Sequence, residues 1–160
     1  MKPPIVINFE NDESGRIMFD LKMLKANLLD HDLVRFKFDT GADLTVISCE
    51  DLTRLGYTHE FLQNCPEYMK KPVYTANGER VYLKYISNIS IMFGDRELQG
   101  CDLHFSLKPD LHNLFGTDIL RYFDINISYT NSEIYLYKRD EESLTAETSH
   151  LQIYSLKKER

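Results

Sequence analysis

Val34-Arg35-Phe36-Lys37-Phe38-Asp39-Thr40-Gly41-Ala42-Asp43 is the stretch on which the reading of this chain turns. Val34, Phe36 and Phe38 alternate with Arg35 and Lys37, the period of two expected of a half-buried strand. That strand delivers a carboxylate, Asp39, into a turn of small residues, and Leu44-Thr45-Val46-Ile47-Ser48 leads out of it. An acid held at a strand end among small residues faces a substrate more readily than a core. Asp-Thr-Gly occurs once, at 39–41. One copy supplies one carboxylate, whereas the acid–base chemistry it suggests uses two.

Outward from this turn the pattern stays mostly strand-like. Ile5-Val6-Ile7 and Arg16 to Leu21 read as strands, separated by the turn-rich Asn11-Asp12-Glu13-Ser14-Gly15. Ser48, with an acid three positions on at Asp51, reads as a helix cap; Leu52 and Leu55 give that helix an apolar side, and Gly56 stops it. Asn77-Gly78, between Val73-Tyr74-Thr75-Ala76 and Val81-Tyr82-Leu83, predicts a hairpin with a type I′ turn. Ile89, Ile91 and Phe93 alternate before a Gly94-Asp95 turn, and Cys101, Leu103 and Phe105 alternate after it. Leu114-Phe115-Gly116 leads into a short helix, Thr117 to Tyr122, capped by Thr117. Strands follow at Ile125–Tyr129 and Ile134–Tyr137; Asp140 to Ser149 is polar, and Leu151–Tyr154 regains strand character. Many short strands with two short helices predict an all-β, barrel-like domain over residues 1–140, with a polar extension over 141–160. The strand, glycine turn and helix around Gly41 are echoed around Gly116, where apolar Leu114-Phe115 stands in place of the acid.

The 160 residues suffice for one domain with a sizeable core. A net charge of −6 argues against an electrostatic grip on nucleic acid or an anionic membrane. No apolar run is long enough to span a bilayer, and the N-terminus lacks the core of a secretion signal. Cys49, Cys65 and Cys101 form no Cys-x-x-Cys pair and read as reduced thiols of a cytoplasmic protein. His31, His59, His104, His112 and His150 lack paired metal spacing and read as surface or structural. The ten tyrosines fall mostly within strands, where aromatic packing accounts for them.

Three separated elements, in order across roughly residues 34–137, together resemble the retropepsins, the retroviral-type aspartic proteases. They are Phe38-Asp39-Thr40-Gly41-Ala42-Asp43 with Thr45-Val46-Ile47, the hairpin Thr75-Ala76-Asn77-Gly78-Glu79-Arg80 where that family has its flap, and Asn113-Leu114-Phe115-Gly116-Thr117-Asp118-Ile119-Leu120. The resemblance implies a closed β-barrel-like fold, active as a two-fold homodimer in which each subunit contributes one Asp39. It implies hydrolysis of an extended peptide or protein by an activated water, with no metal and no cofactor. Thr40, Gly41, Ala42, Leu114, Phe115 and Gly116 would support the site. Asp43 and Thr75, Ala76, Asn77 and Gly78 would contact substrate.

Four features depart from the family pattern. Thr117 stands where an arginine commonly pairs with the acid at position 43, leaving Arg121 as a substitute partner. The flap is flanked by Glu79 and Arg80 rather than rich in glycine, and Lys37-Phe38 replaces smaller aliphatic residues. The chain is also longer at both ends than a minimal retroviral enzyme, which suits a cellular or bacterial relative better than a viral processing enzyme. A different class of function stays open beside the enzyme: a retropepsin-fold dimerisation or peptide-binding module with weak turnover.

Overall fold

The computed structural model describes residues 3–24, 33–69, 72–93, 96–140 and 152–155. Gly94-Asp95, the run after Asp140, His31 and His150 lie outside them. In chain order the strands are β1 Ile5–Asn8, β2 Glu10–Asn11, β3 Ile17–Leu24, β4 Leu33–Phe38, β5 Val73–Tyr74, β6 Arg80–Val81, β7 Lys84–Phe93, β8 Arg96–Phe105, β9 Leu114–Phe115, β10 Phe123–Ser128, β11 Glu133–Lys138 and β12 Gln152–Ser155. Among the described residues three short helices join them: α1 Cys49–Arg54, α2 His59–Gln63 and α3 Thr117–Leu120.

The main sheet runs β12-β8-β7-β3-β4-β9, with β2 pairing onto β3. A second sheet runs β1-β11-β10, and β5 pairs with β6. Along β4 the sequence alternation becomes an alternation of burial: Val34, Phe36 and Phe38 are buried, while Leu33 and Arg35 are exposed. Phe19, Phe36, Phe38 and Phe115 interlock, with ring centroids 5.4–6.4 Å apart. Burying each such ring contributes about 1.5–3 kcal/mol. The cluster presses β9 against the end of β4, pairing Lys37 with Leu114 and Phe38 with Phe115 in parallel. This places the two glycine turns, at Gly41 and Gly116, side by side.

Helix α1 forms as its sequence directs. The Ser48 hydroxyl caps Asp51 N–H, and Gly56, at φ +100°, ends the helix in a Schellman motif: Tyr57 N–H donates to Leu52 O, and Gly56 N–H to Thr53 O. Several expectations are corrected. The main sheet is open rather than a closed barrel among the described residues, because the chain leaves it at Gly116 after a two-residue β9. Among the described residues helices number three, not two. Sequence reading passes over α2 although Thr58 caps Phe61 N–H, because five residues carry too little apolar periodicity to register. Thr117 does not cap α3; Gly116 is the cap residue, with no side-chain bond. The hairpin tip is not a type I′ turn. Thr75 O accepts from Gly78 N–H at 2.9 Å, and Gly78 but not Asn77 has positive φ. A three-residue loop, Ala76-Asn77-Gly78, ending on a left-handed glycine therefore replaces the two-residue turn. The strand expected near residues 151–154 forms as β12 and pairs with β8 of the same chain.

Candidate active site

Asp39 is fixed at both backbone and side chain. Its N–H donates to Phe115 O at 3.0 Å, its Oδ1 accepts from Gly41 N–H at 3.0 Å, and its carbonyl accepts from Ala42 N–H at 3.2 Å. The Asp, Thr and Gly of the turn thus fold onto themselves as an Asx turn. The other carboxylate oxygen, Oδ2, lies 3.3 Å from Lys37 Nζ. The Asp39 side chain keeps 23% exposure, and Thr40 and Gly41 are exposed. An acid so held is rigid, yet open on one side to a second group.

The Gly116 turn lies beneath this loop. A Cβ at Gly116 would stand 2.5 Å from Leu44 O and 2.8 Å from Ala42 O, so only glycine fits. Thr117 donates both its N–H (2.8 Å) and its hydroxyl (3.2 Å) to Ala42 O. At this position, where the resemblance implies an arginine, Thr117 ties down Ala42 rather than Asp43. Asp43 is exposed, and Arg121 does not pair with it; the Arg121 guanidinium lies 6.0 Å from the Tyr122 ring centroid instead. Leu114 exchanges backbone bonds with Val46 at 2.8 and 2.9 Å, while Phe115 sits wholly in the core. Asp39 to Ala42 and Leu114 to Gly116 are therefore brought together. Thr75, Ala76, Asn77 and Gly78 form a separate exposed hairpin, whose Glu79 makes an ion pair with Lys108.

Several residues that brace the site have no role assigned by the sequence motifs. Asn113 donates to Arg35 O (2.9 Å) and to Asp51 Oδ2 (2.5 Å), and accepts from Ser48 N–H (2.6 Å), stitching β4, α1 and β9 together. Burial would raise the Asp51 pKa, but hydrogen bonds from Asn113, Arg54 and Ser48 outweigh it and hold this carboxyl below its ordinary range. Thr45, His104 and Asp118 form a second knot: the Thr45 hydroxyl donates to Asp118 Oδ1 at 2.7 Å and accepts from Gly116 N–H at 3.1 Å. His104 escapes an alternation reading because β8 is buried on both faces at its C-terminal end. Burial pushes the three thiols up, keeping them protonated. Among the described residues no group of three His, Cys, Asp or Glu could hold a metal.

Burial is also the largest influence on Asp118 and raises its pKa, against weaker opposing bonds from Thr45. A carboxyl whose folded pKa exceeds its unfolded value stabilises the fold fully below the ordinary carboxylate range, and that contribution is lost as pH rises through the folded pKa. Asp118→Asn is therefore expected to flatten the decline in stability between acidic and neutral pH. Urea denaturation across that interval checks it, and an unchanged slope would count against the buried-acid explanation.

The sequence model of the gag-polyprotein putative aspartyl protease family matches residues 25–122. The retropepsin-like aspartic protease from Rickettsia conorii is similar in structure, with a TM-score of 0.57 and 23% identity over 84% of this chain and 90% of that one. The EIAV protease in complex with the inhibitor HBY-793 gives a TM-score of 0.45 and 18% identity, over 70% and 91% of the two chains. No curated protein matches the chain. With a family match over more than half its length, around the Asp39 turn and the Gly116 turn beneath it, the chain belongs to the retropepsin-like gag-polyprotein putative aspartyl protease family.

Proposed function

We propose that the protein is a homodimeric aspartic endopeptidase whose active site pairs Asp39 of one subunit with Asp39 of the other. The observation that carries this reading is the Asp39 carboxylate itself: braced by Phe115 O and Gly41 N–H, partly exposed, and present once per chain. A two-fold axis brings identical exposed loops face to face, and Thr40 and Gly41 are the exposed residues of this one. Strand β10, which follows α3 closely, pairs only with β11 among the described residues and leaves its other edge open to a second copy.

In such a site two carboxylates about 3 Å apart share one proton, because both cannot ionise cheaply. The ionised one takes a proton from a water held between them, and the resulting hydroxide equivalent adds to the scissile carbonyl carbon. The protonated one hydrogen-bonds the carbonyl oxygen as negative charge develops there. Collapse of the tetrahedral adduct breaks the C–N bond as the amine nitrogen is protonated. The hairpin at Gly78 would close over an extended peptide and exclude water. The test is digestion of a diverse peptide mixture across acidic to neutral pH, read by mass spectrometry. New ends that require Asp39 support the enzyme, and their absence from a confirmed dimer contradicts it.

One observation favours the second reading, a peptide-binding or dimerisation module. Lys37 Nζ sits 3.3 Å from Asp39 Oδ2, a neutralising contact on the acid that catalysis needs free. The same digestion decides between the two.

Gly78 offers a test of the flap. At φ +77° a side chain costs about 1–2 kcal/mol, a factor of roughly 5–30 in the population of the native turn. A Cβ there meets nothing within 4 Å, so the penalty stays in the backbone. Gly78→Val is expected to raise KM several-fold and to lower the melting temperature of the domain by about 2–8 °C. Equal KM values for variant and native protein would remove the hairpin from the binding site.

A further inference from the structure

Behind the Asp39 loop, polar groups from separate elements meet at the edge of the core, where the Asp118 side chain keeps 18% exposure. Thr45 is fully buried and His104 is 4% exposed. The Thr45 hydroxyl links Gly116 N–H to Asp118 Oδ1. The Thr45 carbonyl faces His104 twice, at 3.1 Å from its backbone N–H and 3.1 Å from ring Nδ1. A carbonyl only accepts, so Nδ1 carries the ring hydrogen. Asp118 Oδ2 lies 3.9 Å from that same nitrogen. On its other side the His104 ring meets Tyr68 edge to face, centroids 4.7 Å apart, and Tyr68 N–H donates to Leu83 O at the base of the flap. A cavity of about 140 Å³ borders the cluster. An acid and an imidazole at this depth cost desolvation that apolar residues of equal size would avoid.

We propose that His104 and Asp118 are positioning residues for the hydrolysis. Through Thr45 they clamp Gly116 and the Ala42–Leu44 segment packed on it, and through Tyr68 they fix the base of the hairpin. The loop that carries Asp39 and the flap that covers the substrate are thereby set from one buried post. The inference rests on the protease reading above. Neither residue touches substrate, so both act through geometry, and a displacement of the loop near 1 Å lowers turnover by up to about 10²-fold.

The test compares Asp118→Leu and His104→Phe, which cut the clamp, with Asp118→Asn and His104→Asn, which keep an acceptor for the Thr45 hydroxyl and an N–H for its carbonyl. Turnover of the peptide found by the digestion is measured with amide hydrogen exchange at Gly116 and Thr45. The cutting variants are expected to lose kcat by about tenfold or more, with KM changed less than about threefold. The conservative variants should stay within about threefold of the native kcat. Exchange at Gly116 should accelerate in Asp118→Leu while α1 amides are unchanged. Native kcat in the cutting variants, or unchanged exchange at Gly116, overturns the proposal. Should Asp118→Leu not fold, Thr45→Val cuts the same link isosterically and must show the same loss of kcat; native turnover there also overturns it. If the native protein shows no Asp39-dependent cleavage, the protease reading fails, while the exchange data still decide whether the clamp exists.

Discussion

Asp39→Asn is expected to lower peptide cleavage by about 10³- to 10⁴-fold while leaving the fold and the state of assembly unchanged. The substitution keeps the shape of the side chain. Its amide oxygen still accepts from Gly41 N–H, and the backbone bond from Asp39 N–H to Phe115 O is untouched. What it removes, under the proposed mechanism, is the group that would take a proton from water and the negative charge through which two carboxylates would share a proton. It also removes the ion pair with Lys37, but that lysine is 34% exposed, and such pairs contribute only about 0–1 kcal/mol. Initial rates on a cleaved peptide, with far-UV circular dichroism and sedimentation to confirm fold and assembly, check this. A variant of native fold that keeps a tenth or more of the rate would mean that Asp39 is not the base.

Gly116→Ala carries the largest expected effect on stability. The added Cβ would meet Leu44 O at 2.5 Å, Leu44 C at 2.6 Å and Ala42 O at 2.8 Å, all backbone atoms. None can retreat without breaking the bonds from Thr117 to Ala42 O, from Gly116 N–H to the Thr45 hydroxyl, or between Val46 and Leu114. The expected loss is about 3 kcal/mol or more, read from urea denaturation, with activity lost alongside. Gly41→Ala is the control. Its Cβ would meet only Asp39 Oδ1, at 3.3 Å, which need yield only by a few tenths of an ångström. A Gly116→Ala protein within about 1 kcal/mol of native would show that the two loops are not locked as described.

The Asp39 strand, the α1 caps and the order of elements were legible because each has a local cause. Period-two alternation wrote β4, and Ser48 with Gly56 bounded α1. The Gly116 turn was legible as a motif but not as a steric necessity. Nothing in Leu114-Phe115-Gly116 says that Ala42 O and Leu44 O lie within 3 Å of the missing Cβ. The hairpin was visible and its turn type was not, because Asn77-Gly78 suits two geometries and only the observed one lets the Thr75 hydroxyl accept from Glu79 N–H. The Asn113 and His104 contacts stayed hidden for a different reason. They join residues 59 to 78 positions apart, and polar side chains on buried strand ends show no period. In the sequence Thr117 shows only the loss of an arginine that would pair with Asp43, whereas in the fold it holds Ala42 O.

The claim that two Asp39 residues from two chains make one site is tested most directly by subunit poisoning. Native protein at fixed concentration is mixed with increasing Asp39→Asn protein, allowed to exchange, and assayed on a cleaved peptide. If each site needs two native subunits, random pairing cuts activity to about one half at equal amounts and about one tenth at a ninefold excess. Activity that stays constant as the variant is added would mean that one chain cleaves alone, and would contradict the shared site.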